Sequence, residues 1–150
     1  MAHTCSRIAV HCVFSTLGRT PMIDSDLRQR LWQYMGGIAR GERITPIAIG
    51  GTANHTHLLL EIPPSISIST AMRIIKSVSS KWVNDNGNRR FRFAWQEGYG
   101  AFSVDTRHME PLVDYIHTQE EHHHVRTFEE EYRALLKEFG VEYDEKYLWG

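Results

Sequence analysis

From Arg7 to Phe14 apolar and polar positions alternate: Ile8, Val10, Cys12 and Phe14 fall on one side of an extended chain and His11 on the other. That period of two predicts a half-buried strand. Turn-forming residues fill 15–21. The period then lengthens, with Leu27, Leu31, Tyr34, Met35 and Ile38 at helical spacing behind Asp24 or Ser25 as N-cap, which predicts a helix ending near Gly41. Residues 44–49 return to strand character, and Gly50-Gly51-Thr52 predicts a tight turn into the extended run 54–62, so the two pair as a hairpin. After Pro63-Pro64, Ser67 or Ser69 caps a helix with an apolar stripe of Ala71, Ile75, Val78 and Trp82; Arg73, Lys76 and Lys81 lie on its other side, and it stops around 84–87. A basic, aromatic stretch leads to a fourth strand over 97–104, whose glycines mark a bulge or a close approach.

The order β-α-β-β-α-β is the split βαβ, ferredoxin-like pattern of an α+β protein: a four-stranded antiparallel sheet with two helices on one face. Additional C-terminal helices follow. One begins after Asp105-Thr106, with Thr106 as cap, and runs through Leu112, Val113 and Ile116 toward Glu120-Glu121; another spans Phe128 to Phe139 and ends at Gly140. No repeat, low-complexity tract or linker interrupts the chain, so residues 1–150 read as a single domain, long enough to bury a core without metal or disulfide support.

Composition narrows the class. With 41% hydrophobic and 23% charged residues the chain is globular. No run approaches the roughly 18 apolar residues of a membrane span, and the first residues lack a signal peptide's charged and apolar regions, so a cytoplasmic location without a membrane partner is expected. Cys5 and Cys12 sit at odd separation, on opposite faces of a strand, and neither belongs to a Cys-x-x-Cys pair. They read as reduced, small apolar residues rather than a disulfide or a zinc site. The net charge of −1 hides a split: residues 1–96 carry 12 Lys/Arg against 5 Asp/Glu, and residues 97–150 carry 5 against 13, balances of +7 and −8. A basic body of this kind is compatible with a phosphate-binding face.

Candidate chemistry concentrates in Asn54-His55-Thr56-His57. On a strand His55 and His57 point the same way, about 6–7 Å apart, while Leu58, Leu60 and Ile62 line the opposite face. Alone, such a pair reads more simply as structural histidines. Two imidazoles can also fill two positions of a divalent-metal site, and a third ligand must then come from Gln119, His122, His11, Glu61 or the run His122-His123-His124. Consecutive helical residues spread about 100° apart, so that run makes no compact face. Tyr115 and Gln119, at i and i+4, share a helix face with Cβ atoms about 5–6 Å apart. A metal to polarise a phosphodiester and a phenol to attack it make a constellation for phosphoryl transfer.

Three blocks carry a family resemblance: His55-Thr56-His57-Leu58-Leu59-Leu60, residues 95–103 (Trp95 to Ser103), and residues 115–123 (Tyr115 to His123). In this order they resemble the small single-tyrosine HUH transposases of compact bacterial insertion sequences, the IS200-like family. The likeness covers nearly the whole chain, including Phe128-Glu129-Glu130-Glu131-Tyr132 and the 143–148 tail. It implies His55 and His57 as paired metal ligands, Gln119 as the third, Mg²⁺ or Mn²⁺ as the ion, and Tyr115 as a nucleophile that cuts single-stranded DNA to give a 5′-phosphotyrosine. It also implies recognition of hairpin ends and a homodimer. One residue departs from the pattern: the middle position of the motif is usually bulky and hydrophobic, and here it is Thr56.

DNA binding would fall to the positive half, with Arg73, Lys76, Lys81, Arg89, Arg90 and Arg92 on phosphates and Phe91, Phe93 and Trp95 either in the core or stacked on bases. Two other readings compete. A histidine-triad nucleotide hydrolase requires a third histidine at the next same-face position, which is Leu59; a non-catalytic, domesticated relative would bind nucleic acid without covalent capture.

Overall fold

The computed structural model describes residues 3–86, 92–122 and 125–150. Its strands are β1 (Ala9–Ser15), β2 (Thr45–Gly51), β3 (His55–Glu61) and β4 (Gly100–Val104). Its α-helices are α1 (Ser25–Gly41), α2 (Ile68–Asn86), α3 (Glu110–His117), α4 (Gln119–His122), α5 (Phe128–Glu138) and α6 (Glu145–Leu148). The strands form one antiparallel sheet in the order β2-β3-β1-β4, the ferredoxin-like arrangement the sequence predicts. β1 and β3 are central, with Val13 opposite His57.

Alternation sends Val10, Cys12 and Phe14 of β1 and Leu58 and Leu60 of β3 to one face, where they meet Leu27, Leu31 and Met35 of α1 and Ala71, Met72 and Ile75 of α2. Asp24 caps α1 by accepting from Leu27 N at 2.9 Å, and Ser67 Oγ accepts from Thr70 N at 3.1 Å at the start of α2. The buried row of α2 is rotated from the predicted stripe: Ala71, Ile75, Ser79 and Val83 face inward, Val78 is 39% exposed, and Trp82 is half-buried against Tyr34. The reason is Ser79, whose polar side chain breaks the apolar pattern yet enters the core because it accepts a hydrogen bond from Trp95 Nε1 at 3.0 Å. Phe93 and Trp95 belong to this core; Phe91 lies outside the described residues.

The other face of the sheet is covered by α3, α4 and α5. Ile116 packs on Leu59 and Ala48, while Phe128, Tyr132 and Leu136 pack on Val13 and Phe102. Two glycines let the helices of this face come close to the sheet. A Cβ at Gly50 would stand 2.2 Å from the Ile116 carbonyl oxygen, and one at Gly100 would stand 2.7 Å from the Tyr132 ring. The fourth strand, expected from 97, starts at Gly100: before it the Glu97 and Gly98 carbonyls accept from Lys76 Nζ, and Glu97 N donates to the Gly150 carbonyl, outside the sheet ladder.

The third helix differs from expectation at both ends. Thr106 is not its cap: Asp105 accepts from Arg107 N in a preceding turn, and α3 starts at Glu110 with Met109 as N-cap. Pro111 explains the shift, since proline fits the first turn of a helix but removes a hydrogen bond deeper inside it. The helix also breaks at Thr118, so Gln119 opens α4. α5 begins as expected at Phe128, with Thr127 as cap, and Gly140 follows it at φ +64°. Cys5 is exposed and Cys12 buried, both free.

Candidate active site

His55 and His57 are both fully buried, on the face of β3 that lies under α3, α4 and α5. Each ring has its Nδ1 held from behind. His55 Nδ1 lies 2.9 Å from Thr52 Oγ1 and 2.9 Å from Asn54 Oδ1, both on the hairpin turn. His57 Nδ1 lies 2.8 Å from Nε2 of His11. The two Nε2 atoms therefore turn toward a common point. His57 Nε2 is 2.8 Å from Glu131 Oε1, and His55 Nε2 is 3.6 Å from the same oxygen and 2.9 Å from Gln119 Oε1. The Gln119 amide is oriented by its own nitrogen, which donates to the Tyr115 carbonyl at 3.2 Å.

This donor set fits a divalent cation. One ligand atom from each of His55, His57 and Glu131 lies within 4.8 Å of the others, all three residues are buried, and Gln119 adds a fourth donor, its amide oxygen. Imidazole nitrogens whose far N–H groups are held by outer partners, a carboxylate and an amide oxygen converge, and converging lone pairs at such distances are what a cation neutralises.

Glu131 is the residue sequence reasoning missed. It is 1% exposed, inside the apolar row Phe128, Tyr132, Leu136 of α5. A buried carboxylate is costly without partners, so an acid at i+3 from Phe128 within that row was the available signal. The adjacent Glu129 and Glu130 masked it, because acids in a helix's first turn have a sufficient local reason in the helix dipole.

Tyr115, on α3, donates its hydroxyl to Glu131 Oε2, with Arg126 Nη2 3.5 Å from the same hydroxyl. Burial first, and then the carboxylate it donates to, hold this phenol above the usual tyrosine range. The structure thus brings His55, His57, Gln119 and Tyr115 together. The other candidate ligands stand apart from the cluster. His122 is exposed and lies against the outside of the Tyr115 ring, Glu61 pairs with Arg7 at 3.1 Å, and His11 sits behind His57. Burial, followed by the neighbouring His57, pushes the His11 imidazole down to about 3, so it is neutral. His123 and His124 lie outside the described residues. Leu59, where a histidine triad would need its third imidazole, is buried beneath Ile116. Thr56 faces away from the cluster and donates to the Gly50 carbonyl at 3.0 Å, giving the hydroxyl a partner where a hydrophobic residue would need none.

The predicted DNA-contacting residues of α2 are not beside this cluster. Arg73, Lys76 and Lys81 lie on α2, across the sheet. Arg73 is exposed and, with Lys76, borders a groove of about 380 Å³ that also touches Trp95 and Tyr99. Lys76 donates to the Glu97 and Gly98 carbonyls at 2.9 and 2.8 Å, and burial pushes its ammonium down to about 8. Lys81 pairs with Asp85 at 2.5 Å, Arg92 is exposed, and Arg89 and Arg90 lie outside the described residues.

A ferredoxin-like sheet that sets a His-Thr-His strand beneath a tyrosine-bearing helix has the layout of the single-tyrosine transposase class. Residues 4–119 match the family model for IS200-like transposases, and the chain belongs to that family. It is 27% identical over 124 residues to the transposases for insertion sequence element IS200 of Salmonella typhimurium LT2 and of Salmonella typhi, covering 79% of this chain and 81% of each relative. Two solved structures share the fold. One, from Deinococcus radiodurans R1 and described as a candidate transposase, has a TM-score of 0.63 at 17% identity, over 79% of this chain and 95% of that one. The other, a REP-associated tyrosine transposase bound to a REP hairpin, has a TM-score of 0.59 at 16% identity, over 82% of this chain and 74% of that one. No helix among the described residues is long and apolar enough to cross a membrane.

Proposed function

We propose that residues 1–150 act as one unit that cleaves and rejoins single-stranded DNA at insertion-sequence ends through a covalent bond to Tyr115. The observation that carries this reading is a shared carboxylate: Glu131 turns Oε1 toward the two imidazoles and Oε2 toward the Tyr115 hydroxyl. This contact supports a reading in which one carboxylate serves both the nucleophile and the cation site.

In the proposed reaction the Tyr115 oxygen attacks a backbone phosphorus, the bond from phosphorus to the 3′ oxygen breaks, and the products are a 5′-phosphotyrosine and a free 3′-OH. A later 3′-OH attacking the phosphotyrosine releases Tyr115 and rejoins DNA with no other energy source. His55, His57, Gln119 and Glu131 would hold Mg²⁺ or Mn²⁺, which when bound supplies charge neutralisation on the non-bridging phosphate oxygens. Glu131 Oε2 is placed to take the phenol's proton, and Arg126 to balance the negative charge that develops beside the attacking oxygen. Arg73, Lys76, Lys81, Arg89, Arg90 and Arg92 would contact the DNA backbone, on a hairpin of the kind one structural relative binds. Homodimer formation and a cytoplasmic setting complete the proposal.

The test is to incubate the protein with a labelled single-stranded hairpin end and Mg²⁺ or Mn²⁺ and look for an SDS-resistant adduct. Wild type is expected to form it, and Tyr115→Phe to bind the hairpin without forming it. Hairpin binding with no adduct from wild type under either metal would replace this reading with that of a non-catalytic binding protein. An adduct from Tyr115→Phe would move the nucleophile elsewhere.

A further inference from the structure

We infer that His11 is a positioning residue for the cation site: by accepting the Nδ1 proton of His57, it fixes which nitrogen His57 offers to the ion and in which direction. This rests on the proposed reading that His57 is a ligand, and it assigns a role to a histidine that the reaction itself leaves unused.

The geometry is specific. The His11 and His57 nitrogens are 2.8 Å apart, the ring planes differ by 20°, and the centroids are 5.0 Å apart. Rings so arranged meet edge to edge, N–H to lone pair, and not face over face. Both residues stand on the two central strands, each hydrogen-bonded along both of its edges, so backbone pairing fixes both ring origins. His11 is 3% exposed, and its cross-strand partner Phe102 lies beside it with ring centroids 6.3 Å apart.

The chemistry requires such a partner. To bind a cation through Nε2, a neutral imidazole must carry its proton on Nδ1, and a buried N–H needs an acceptor. His55 has two side-chain oxygens of its own hairpin turn for this purpose, whereas His57 reaches across to a different strand. A carboxylate could serve as well, but it would add a second negative charge. A neutral imidazole adds none. Glu131 is the single carboxylate of the cluster among the described residues, so a site holding a divalent ion keeps a net positive charge to present to phosphate.

The experiment compares His11→Leu, which removes the acceptor, with His11→Gln, whose amide oxygen can stand near the lost Nε2. Mn²⁺ affinity is measured by calorimetry on proteins matched for folding by circular dichroism. The expected result is a Kd raised about 10–100-fold in His11→Leu and restored to within a few-fold of wild type in His11→Gln. A His11→Leu protein that binds Mn²⁺ like wild type overturns the inference, as do two folded variants equally weakened. If wild type itself binds no Mn²⁺, it is the cation-site reading that fails, and this inference with it. Should His11→Leu not fold, ¹⁵N NMR of the Zn²⁺-loaded wild type decides. A proton on His57 Nδ1 coupled across to His11 Nε2 supports the role, and its absence removes it.

Discussion

The two faces of the sheet are built from alternate residues of the same strands, yet they do opposite things with burial. Under α1 and α2, Val10, Cys12, Phe14, Leu58 and Leu60 close a largely apolar core. Under α3, α4 and α5, the intervening residues include His11, His55 and His57, equally withdrawn from water but joined to Glu131 and Gln119. Each apolar side chain on the first face gains transfer energy and close packing. Each polar group on the second must recover its desolvation cost through partners before it contributes anything. Stability is therefore expected to reside on one face and chemistry on the other.

Substitutions can break that division or sharpen it. The largest loss of stability is expected from Leu58→Ala, which opens a cavity at a fully buried position. It should lower the unfolding free energy by about 2–5 kcal/mol in urea titration, while the protein that stays folded still binds Mn²⁺; an unmoved midpoint would contradict the view that this face holds the fold. Next comes Gly50→Ala, where a new Cβ would collide with the Ile116 carbonyl. A loss of about 1–3 kcal/mol should come with a lower adduct yield, because Tyr115 and Gln119 lie one residue before and three after that contact. Full adduct yield would mean that α3 does not depend on the close approach to β2. Thr127→Ala, which removes the cap of α5, should cost about 1 kcal/mol, read as a shift in thermal midpoint with Mn²⁺ affinity nearly intact. Smallest in stability is Glu131→Gln, which replaces a buried charge by a neutral group of the same shape. Its melting temperature should hold or rise while Mn²⁺ affinity falls sharply in calorimetry; retained affinity would exclude the carboxylate as a ligand.

Local pattern was enough for much of this. The period of two placed His11 opposite Val10 and Cys12, and His55 and His57 opposite Leu58 and Leu60, because strand geometry leaves a side chain only two directions. Caps at Asp24 and Ser67 and the stop near Gly140 follow from local hydrogen bonding and backbone preference. Errors arose where one residue overruled a periodic signal. Pro111 moved the start of α3 past Thr106, and Ser79, buried through its bond to Trp95, disguised the inner row of α2. The dyad of Tyr115 and Gln119 was visible as spacing, although the helix breaks between them at Thr118.

By itself the sequence determined the strands, their faces, the histidine pair and the helix spacing of Tyr115 and Gln119, because each depends on neighbours within a few residues. Only the tertiary structure decided what surrounds the pair. Gln119 is 64 positions from His55, and Glu131 is 74 from His57. Whether an acid in a run of acids faces solvent or a cluster of imidazoles depends on how its helix docks, and Phe128, Tyr132 and Leu136 set that docking against Val13 and Phe102. Burial and long-range partners, which no local period encodes, turned Glu131 from one more surface charge into the link between the imidazole pair and Tyr115.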